Sequence, residues 1–269
     1  MKERPFKLGT TSFIYPDHII PNVKKTGRFF DEIELLVFES LPPEVLPGKA
    51  DVRELNDLAR ALDLSYNVHL PVDVSLTAAS ARERQGAADT LKRVLDLFAP
   101  VSPSTFTLHL DMDKTPAAGE GIKAWQDRAC KGLDLLVPEL DTPEKISVET
   151  LWYDPVILAP LVDAFNLSIC ADAGHHFKYG WDLDRTFDRF GDRISIVHLH
   201  GVDVTGPKPK DHIGLDRFSP AHFDRVVTLL SGFTGIVSLE VFNYPNLESS
   251  LDCLGRVFKD IPVLERAED

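Results

Sequence analysis

The sequence predicts a parallel (β/α)8 TIM barrel. Eight short β-prone segments alternate with eight helix-patterned ones, and acidic or imidazole side chains recur at the ends of successive strands. The elements fill about 250 residues, the usual size of such a barrel, without a linker-like shift in composition. One domain over residues 1–269 is therefore expected. A doubly wound sheet is the alternative, but no Gly-rich GxGxxG or Walker loop follows the first strand, where GTTS lacks the spacing.

The elements run in order as follows. Phe6 to Thr11 (FKLGTT) is β-like, and a helix begins after Phe13 and Pro16 and ends near Gly27. Ile33 to Phe38 (IELLVF) is the second strand, with Glu39 at its end. Prolines and a glycine make LPPEVLPGKAD a loop. Asp51 then caps a helix whose apolar positions Val52, Leu55, Leu58, Ala59 and Leu62 keep helical spacing. Leu64 to Leu70 is the third strand and brings His69 to its end. The helix from Ala78 to Phe98 carries Leu91, Val94, Leu95 and Phe98 on one stripe, and Pro100 and Pro103 stop it.

Strand four, Thr105 to Leu110, ends in Leu108-His109-Leu110-Asp111. A loop rich in Gly and Ala leads into a helix from Ile122 to Val137, and Lys145 to Val148 is strand five, delivering Glu149. After a helix over Pro155 to Phe165, strand six starts at Leu167 (LSICADAGHH) and breaks at Gly174, with His175 and His176 following. Asp182 to Phe190 is helical, and Ile194 to His200 (ISIVHLH) is strand seven. A long loop, GVDVTGPKPKDHIGLDRF, precedes the helix over Pro220 to Leu230. Strand eight, Ile236 to Val241, carries Glu240, and a helix over Leu247 to Lys259 closes the pattern.

Composition narrows the function. Acidic residues number 42 against 29 basic ones, for a net charge of −13, and no basic stripe offsets it. Attraction to a phosphate backbone or an anionic membrane surface is correspondingly weak, so neither nucleic acid nor membrane is an expected partner. No apolar run approaches the roughly 18 residues of a membrane span. The start, MKERPFKLGTTSF, lacks a secretory pattern, which makes a cytoplasmic location the expectation. Cys130, Cys170 and Cys253 are widely spaced without a CxxC pair, so neither a disulfide framework nor a thiolate zinc site is expected. Cys170 shares the strand face of Asp172 and reads as a small core residue.

In a (β/α)8 barrel the C-terminal strand ends converge on one pocket. His69, His109, Glu149, Asp172, His198 and Glu240 all stand at such ends. An Asp after a strand commonly caps a helix, and a lone His is commonly structural. No strand supplies a Lys or Arg at its end to neutralise the carboxylates, however, and buried unpaired carboxylates are costly. A divalent cation resolves that problem. His198 and His200 share a strand face, and only one of them need be a ligand.

The series His69-Leu70-Pro71, Leu108-His109, Val148-Glu149, Asp172-x-x-His175, Val197-His198-Leu199 and Leu239-Glu240 resembles the xylose-isomerase-like barrel superfamily of sugar isomerases, epimerases and endonuclease IV. One-metal epimerases of that group are similar at Glu149, Asp172, His198 and Glu240, with two glutamates also serving as acid and base. Endonuclease-IV-like members add histidines matching His69 and His109. They also add a third metal group matching His175 and an Asp/His pair after strand seven, represented here by Asp211 and His212. The pair is adjacent in this chain, whereas the family pattern separates it by one residue.

LGTTSFIYPDHIIPNV, followed by IELLVFES, looks most similar to the cobamide-remodelling phosphodiesterases, metal-dependent enzymes that cleave the nucleotide loop of corrinoids. The resemblance implies two or three divalent ions, manganese or zinc, with iron also suited to mixed His and carboxylate ligands. It implies a corrinoid substrate, Glu149 as the bridge between ions, and His175 or His212 steadying the leaving alkoxide. Expected substrate contacts are His200, Lys208 and Lys210. A metal-dependent sugar (phosphate) isomerase or epimerase is the alternative.

Overall fold

The computed structural model describes residues 1–40, 46–112 and 120–264. Its elements are β1 (Lys7–Thr11), α1 (Ile19–Thr26), β2 (Glu32–Leu36), α2 (Lys49–Leu62), β3 (Ser65–His69), α3 (Ala81–Phe98), β4 (Phe106–Leu108) and α4 (Glu120–Leu136). There follow β5 (Ile146–Glu149), α5 (Ala159–Phe165), β6 (Ser168–Asp172), α6 (Ala173–Tyr179), α7 (Leu183–Phe190) and β7 (Ile194–Leu199). The chain ends through β8 (Gly201–Asp203), β9 (Lys210–Ile213), α8 (Pro220–Leu230), β10 (Ile236–Leu239) and α9 (Tyr244–Gly255). Strands β1 to β7 and β10 pair in parallel and close into a barrel, β10 returning to β1 with Thr10 opposite Leu239. This is the expected (β/α)8 architecture.

Strict alternation along the strands decides what faces where. Leu35, Val68, Val148, Ile169, Val197 and Leu239 point outward and are buried in the shell packed by the helices. The intervening residues point into the barrel. At its floor the Glu32 carboxylate accepts from Ser65 Oγ (2.6 Å), Asn67 Nδ2 (2.8 Å) and Ser104 Oγ (2.7 Å). Burial holds this carboxyl above its ordinary range despite those donors. Cys170, Ile196 and Ile236 form a small apolar layer higher up, one inward position below Asp172, His198 and Ser238.

Several boundaries differ from expectation for local reasons. The second strand is shifted to Glu32–Leu36, and Glu39 is exposed beyond it. Gly48, not Asp51, is the N-cap of α2; Asp51 sits three residues in and accepts from the Gly48 N–H at 2.7 Å. LSICADAGHH continues without a loop into α6, because Asp172 accepts from His175 N at 2.6 Å and Gly180, at φ 76°, ends the helix. The long segment after β7 contains the antiparallel hairpin β8–β9. Asn243 caps the last helix, which begins at Tyr244 and ends at Gly255. Residues 41–45 and 113–119, parts of the loops expected after strands two and four, lie outside the described residues. No helix among the described residues is long and apolar enough to cross a membrane.

Candidate metal centre

The inward alternation runs out at the C-terminal strand ends, and the chelating side chains stand there. His69, Glu149 and Asp172 end β3, β5 and β6; His198 is the penultimate residue of β7; His109 and Glu240 directly follow β4 and β10. Register brings the neighbours together, with Asp172 opposite His198 and Glu149 opposite Cys170.

The side chains form overlapping groups. Glu149, Asp172, His198 and Glu240, all buried, each bring a ligand atom within 4.8 Å of the others. His69, His109 and Glu149 do the same, and so do His175, His200 and His212. Glu149 belongs to both of the first two groups. Its Oε2 lies 2.9 Å from His109 Nε2 and 3.3 Å from His69 Nε2, and its Oε1 lies 3.4 Å from His175 Nδ1. The His69 Nδ1–H is turned to the Leu70 carbonyl at 3.0 Å, which leaves Nε2 to face the site.

Glu240 Oε2 lies 3.2 Å from His198 Nδ1 and 3.6 Å from His212 Nδ1. Asp172 is both a helix cap and a site residue. It accepts from His175 N while its carboxylate lies 3.2 Å from His175 Nδ1 and 3.1 Å from His200 Nε2.

Charge in this pocket is dense and mutually dependent. Burial works to raise the Glu149 carboxyl, but the imidazoles of His109, His175 and His69 outweigh it and hold the group well below the usual carboxylate range. Asp172 is held low against burial by the charge of His175 and by the hydrogen bond from His200. Burial opposes charge on His175, yet Asp172 and Glu149 push that ring up to about 10. His198 is likewise held well above its ordinary value against burial, by the carboxylates of Glu34 and Glu240. Imidazolium protons thus do what a bound cation would do for these carboxylates.

The residues fit a divalent cation. Both ring nitrogens of His198 are buried and face Oε2 of Glu240 at 3.2 Å and Oε1 of Glu34 at 3.0 Å without hydrogen-bond geometry. Buried polar atoms are seldom left so, and each costs about 1–3 kcal/mol. Oxygen and imidazole donors without a thiolate suit zinc, manganese or iron. Cys170 lies within the same 4.8 Å of Glu149 and His198. Burial pushes its thiol up, so it stays protonated.

Not every expected residue arrives. Asp211 pairs with Lys178 of α6 and belongs to none of the three groups. His212, next to it in β9, has a left-handed backbone and stacks its ring on His200. His200, expected to touch substrate, has no exposed surface and stands with His175 and His212. Lys208 and Lys210 are exposed on the hairpin.

Glu34 was missed by reading strand ends. It lies in mid-strand in β2, fully buried, with Oε1 3.0 Å from His198 Nε2. Its signal was the alternation Ile33-Glu34-Leu35. At the same end of the barrel, Ser12, Phe13, Ile19, Ile20, Leu36 and Asp17 line part of a cavity of about 570 Å³.

A family model described as xylose isomerase-like TIM barrel matches residues 20–257. No curated protein shows significant sequence similarity to the chain. Among solved structures, a D-tagatose 3-epimerase-like protein superposes with a TM-score of 0.76 at 17% identity, over 93% of this chain and 96% of that one. Endonuclease IV from Thermus thermophilus gives 0.67 at 18% identity, over 93% of this chain and 100% of that one. The IolI protein with a bound zinc atom gives 0.68 at 12% identity, over 94% of this chain and 100% of that one. At these identities the likeness establishes the fold.

Proposed function

This chain belongs to the xylose isomerase-like TIM barrel family, and from that premise we propose that it is a divalent-metal-dependent hydrolase of a small-molecule phosphodiester. The observation that carries the reading is the doubled site: His69 and His109 extend the four-residue group through the shared carboxylate of Glu149. A one-metal enzyme needs only Glu149, Asp172, His198 and Glu240. The extra imidazole pair gives a second cation a place of its own.

Two cations held by these residues would supply a nucleophile at neutral pH and offset the charge that builds on the phosphoryl oxygens. The protein's own residues do the remaining work. Glu149 would be the ligand common to both groups, with Oε2 beside His69 and His109 and Oε1 beside His175. His212 donates Nδ1–H to the Glu240 carbonyl at 3.1 Å, so that in its doubly protonated form the Nε2 proton would pass to the leaving alkoxide and leave the neutral ring. His175, tethered by Nδ1 to the Thr150 carbonyl at 3.2 Å, is placed for the same task.

We further propose the nucleotide loop of a cobamide as the substrate. The stretches LGTTSFIYPDHIIPNV and IELLVFES support this by their resemblance to cobamide-remodelling phosphodiesterases. The first of them lines the 570 Å³ cavity, with room for a bulky organic portion. A net charge of −13 favours a small phosphodiester over a nucleic-acid backbone.

The four-residue group taken alone supports a second reading, a sugar (phosphate) isomerase or epimerase with Glu149 and Glu240 as acid and base. One experiment separates the two. Protein reconstituted with manganese or zinc is assayed against cobamides, bis(p-nitrophenyl) phosphate and a ketose panel while metal stoichiometry is measured. Two or more ions per chain with phosphodiester cleavage is the expected result. One ion per chain with ketose turnover and no cleavage overturns the proposal.

A further inference from the structure

We propose that His200 is a positioning residue, not a ligand: its ring, carrying a single proton at Nε2, ties the Asp172 carboxylate to the β8–β9 hairpin and seats His212 at the site. The inference rests on Asp172 being a ligand, as proposed above.

Both ring nitrogens of His200 are already engaged. Nε2 lies 3.1 Å from Asp172 Oδ1 and 3.2 Å from Oδ2, close enough for a shared N–H donated to the carboxylate. On the other side the backbone N–H of His212 donates to Nδ1 at 3.0 Å. A backbone N–H cannot change its role, so Nδ1 must offer its lone pair there. The Gly201 carbonyl also lies 3.2 Å from Nδ1, but a proton on that nitrogen would meet the His212 N–H. To bind a cation with His175 and His212, His200 would have to give up one of these partners.

What the ring holds is also informative. His212 has φ 51°, a left-handed conformation that a residue with a bulky side chain adopts only when its surroundings impose it. The His200 acceptor and the stacking of the two rings, 4.1 Å between centroids at 28°, impose it here. Space for the ring is provided by position 174. A Cβ on Gly174 would lie 2.0 Å from His200 Cε1 and 2.4 Å from Nδ1, and the ring, pinned on both sides, has nowhere to move. Gly174 therefore follows the Asp172 cap because His200 occupies the side-chain volume.

The test is long-range ¹⁵N–¹H NMR of the histidine-labelled full chain, metal-free and loaded with ¹¹³Cd. A His200 ring protonated at Nε2 alone, without cadmium coupling while His198 shows it, is expected. Cadmium coupling at His200, or a proton at its Nδ1, overturns the proposal. If cadmium does not bind at all, the metal-hydrolase reading fails, while the proton position in the metal-free chain still decides this one.

Variants give a second reading of the same idea. His200→Leu and Gly174→Ala are expected to weaken cadmium binding by about 10–100-fold, the usual effect of losing a residue that orients a ligand. His200→Asn, which keeps one donor and one acceptor, is expected to bind more tightly than His200→Leu. Equal affinities in those two variants count against a positioning role.

Discussion

Glu149 is the residue on which the largest number of separate interactions depend. Imidazoles of His69, His109 and His175 lie within 3.4 Å of its two oxygens, and it is buried to 1% exposure. Glu149→Gln keeps the shape and removes the charge, so both cation positions lose their common ligand. Loss of hydrolysis by at least about 10³-fold together with a lower metal content is expected; full activity in the purified variant refutes the bridging role. Glu34 acts one step further out. Its Oε2 accepts from Ser238 Oγ at 2.6 Å, which holds Oε1 against His198 Nε2. His198 then presents Nδ1 to Glu240 and Glu149. Glu34→Gln is expected to weaken metal binding by about 10–100-fold with the fold retained. A metal titration that superposes on the parent chain's would remove Glu34 from this role.

At the scale of elements, the strand alternation that places these residues was legible from sequence. Val148-Glu149, Val197-His198-Leu199 and Leu239-Glu240 each put an apolar residue under the helices and a chelating one in the barrel. The barrel and most of the site followed from that period of two. Glu34 was less visible because it acts from mid-strand, where no chain break draws attention to it. The hairpin β8–β9 was hidden for another reason: its strands are three and four residues long, too short for periodicity to register. That hairpin brings His212 against His200 and Asp211 against Lys178, a placement no loop reading can supply.

One strand junction offers a test away from the site. Asp31, just before β2, accepts from Leu8 N of β1 at 2.8 Å and pairs with Arg4. Burial alone would raise its carboxyl, but these partners hold it below the ordinary range. A carboxyl depressed in the fold stabilises above its unfolded pKa of about 3.9, and that contribution fades as the pH falls through the folded value. Asp31→Asn is therefore expected to lower Tm at pH 7 by an amount that shrinks below about pH 4. Solvent at this 40%-exposed side chain limits the cost to about 1 kcal/mol or less. A Tm difference that grows on acidification contradicts the assignment.

For the molecule as a whole, the proposed cation binding would make binding and stability one equilibrium. A floor of hydrogen-bonded polar groups and a shell of apolar residues hold the barrel closed, yet its mouth gathers the carboxylates of Glu34, Glu149, Asp172 and Glu240, whose ion-pair partners among the described residues are imidazoles. Imidazole protons compensate them in part, and the poor hydrogen-bond geometry at both nitrogens of His198 marks where that compensation is incomplete. A cation that binds only the folded chain adds RT ln(1 + [M]/Kd), about 2.7 kcal/mol at a hundredfold excess over Kd. For a chain of this length each kcal/mol moves Tm by roughly 2–4 °C, so saturation is expected to raise Tm by about 5–11 °C. The rise should follow metal concentration logarithmically and reverse with a chelator. In Glu149→Gln it should be smaller at every concentration, since that variant retains the barrel but not the shared ligand. Thermal unfolding across manganese, zinc and iron(II) titrations checks this. A Tm indifferent to all three ions would mean that the buried carboxylates and imidazoles are satisfied by one another and that the cluster is a structural plug.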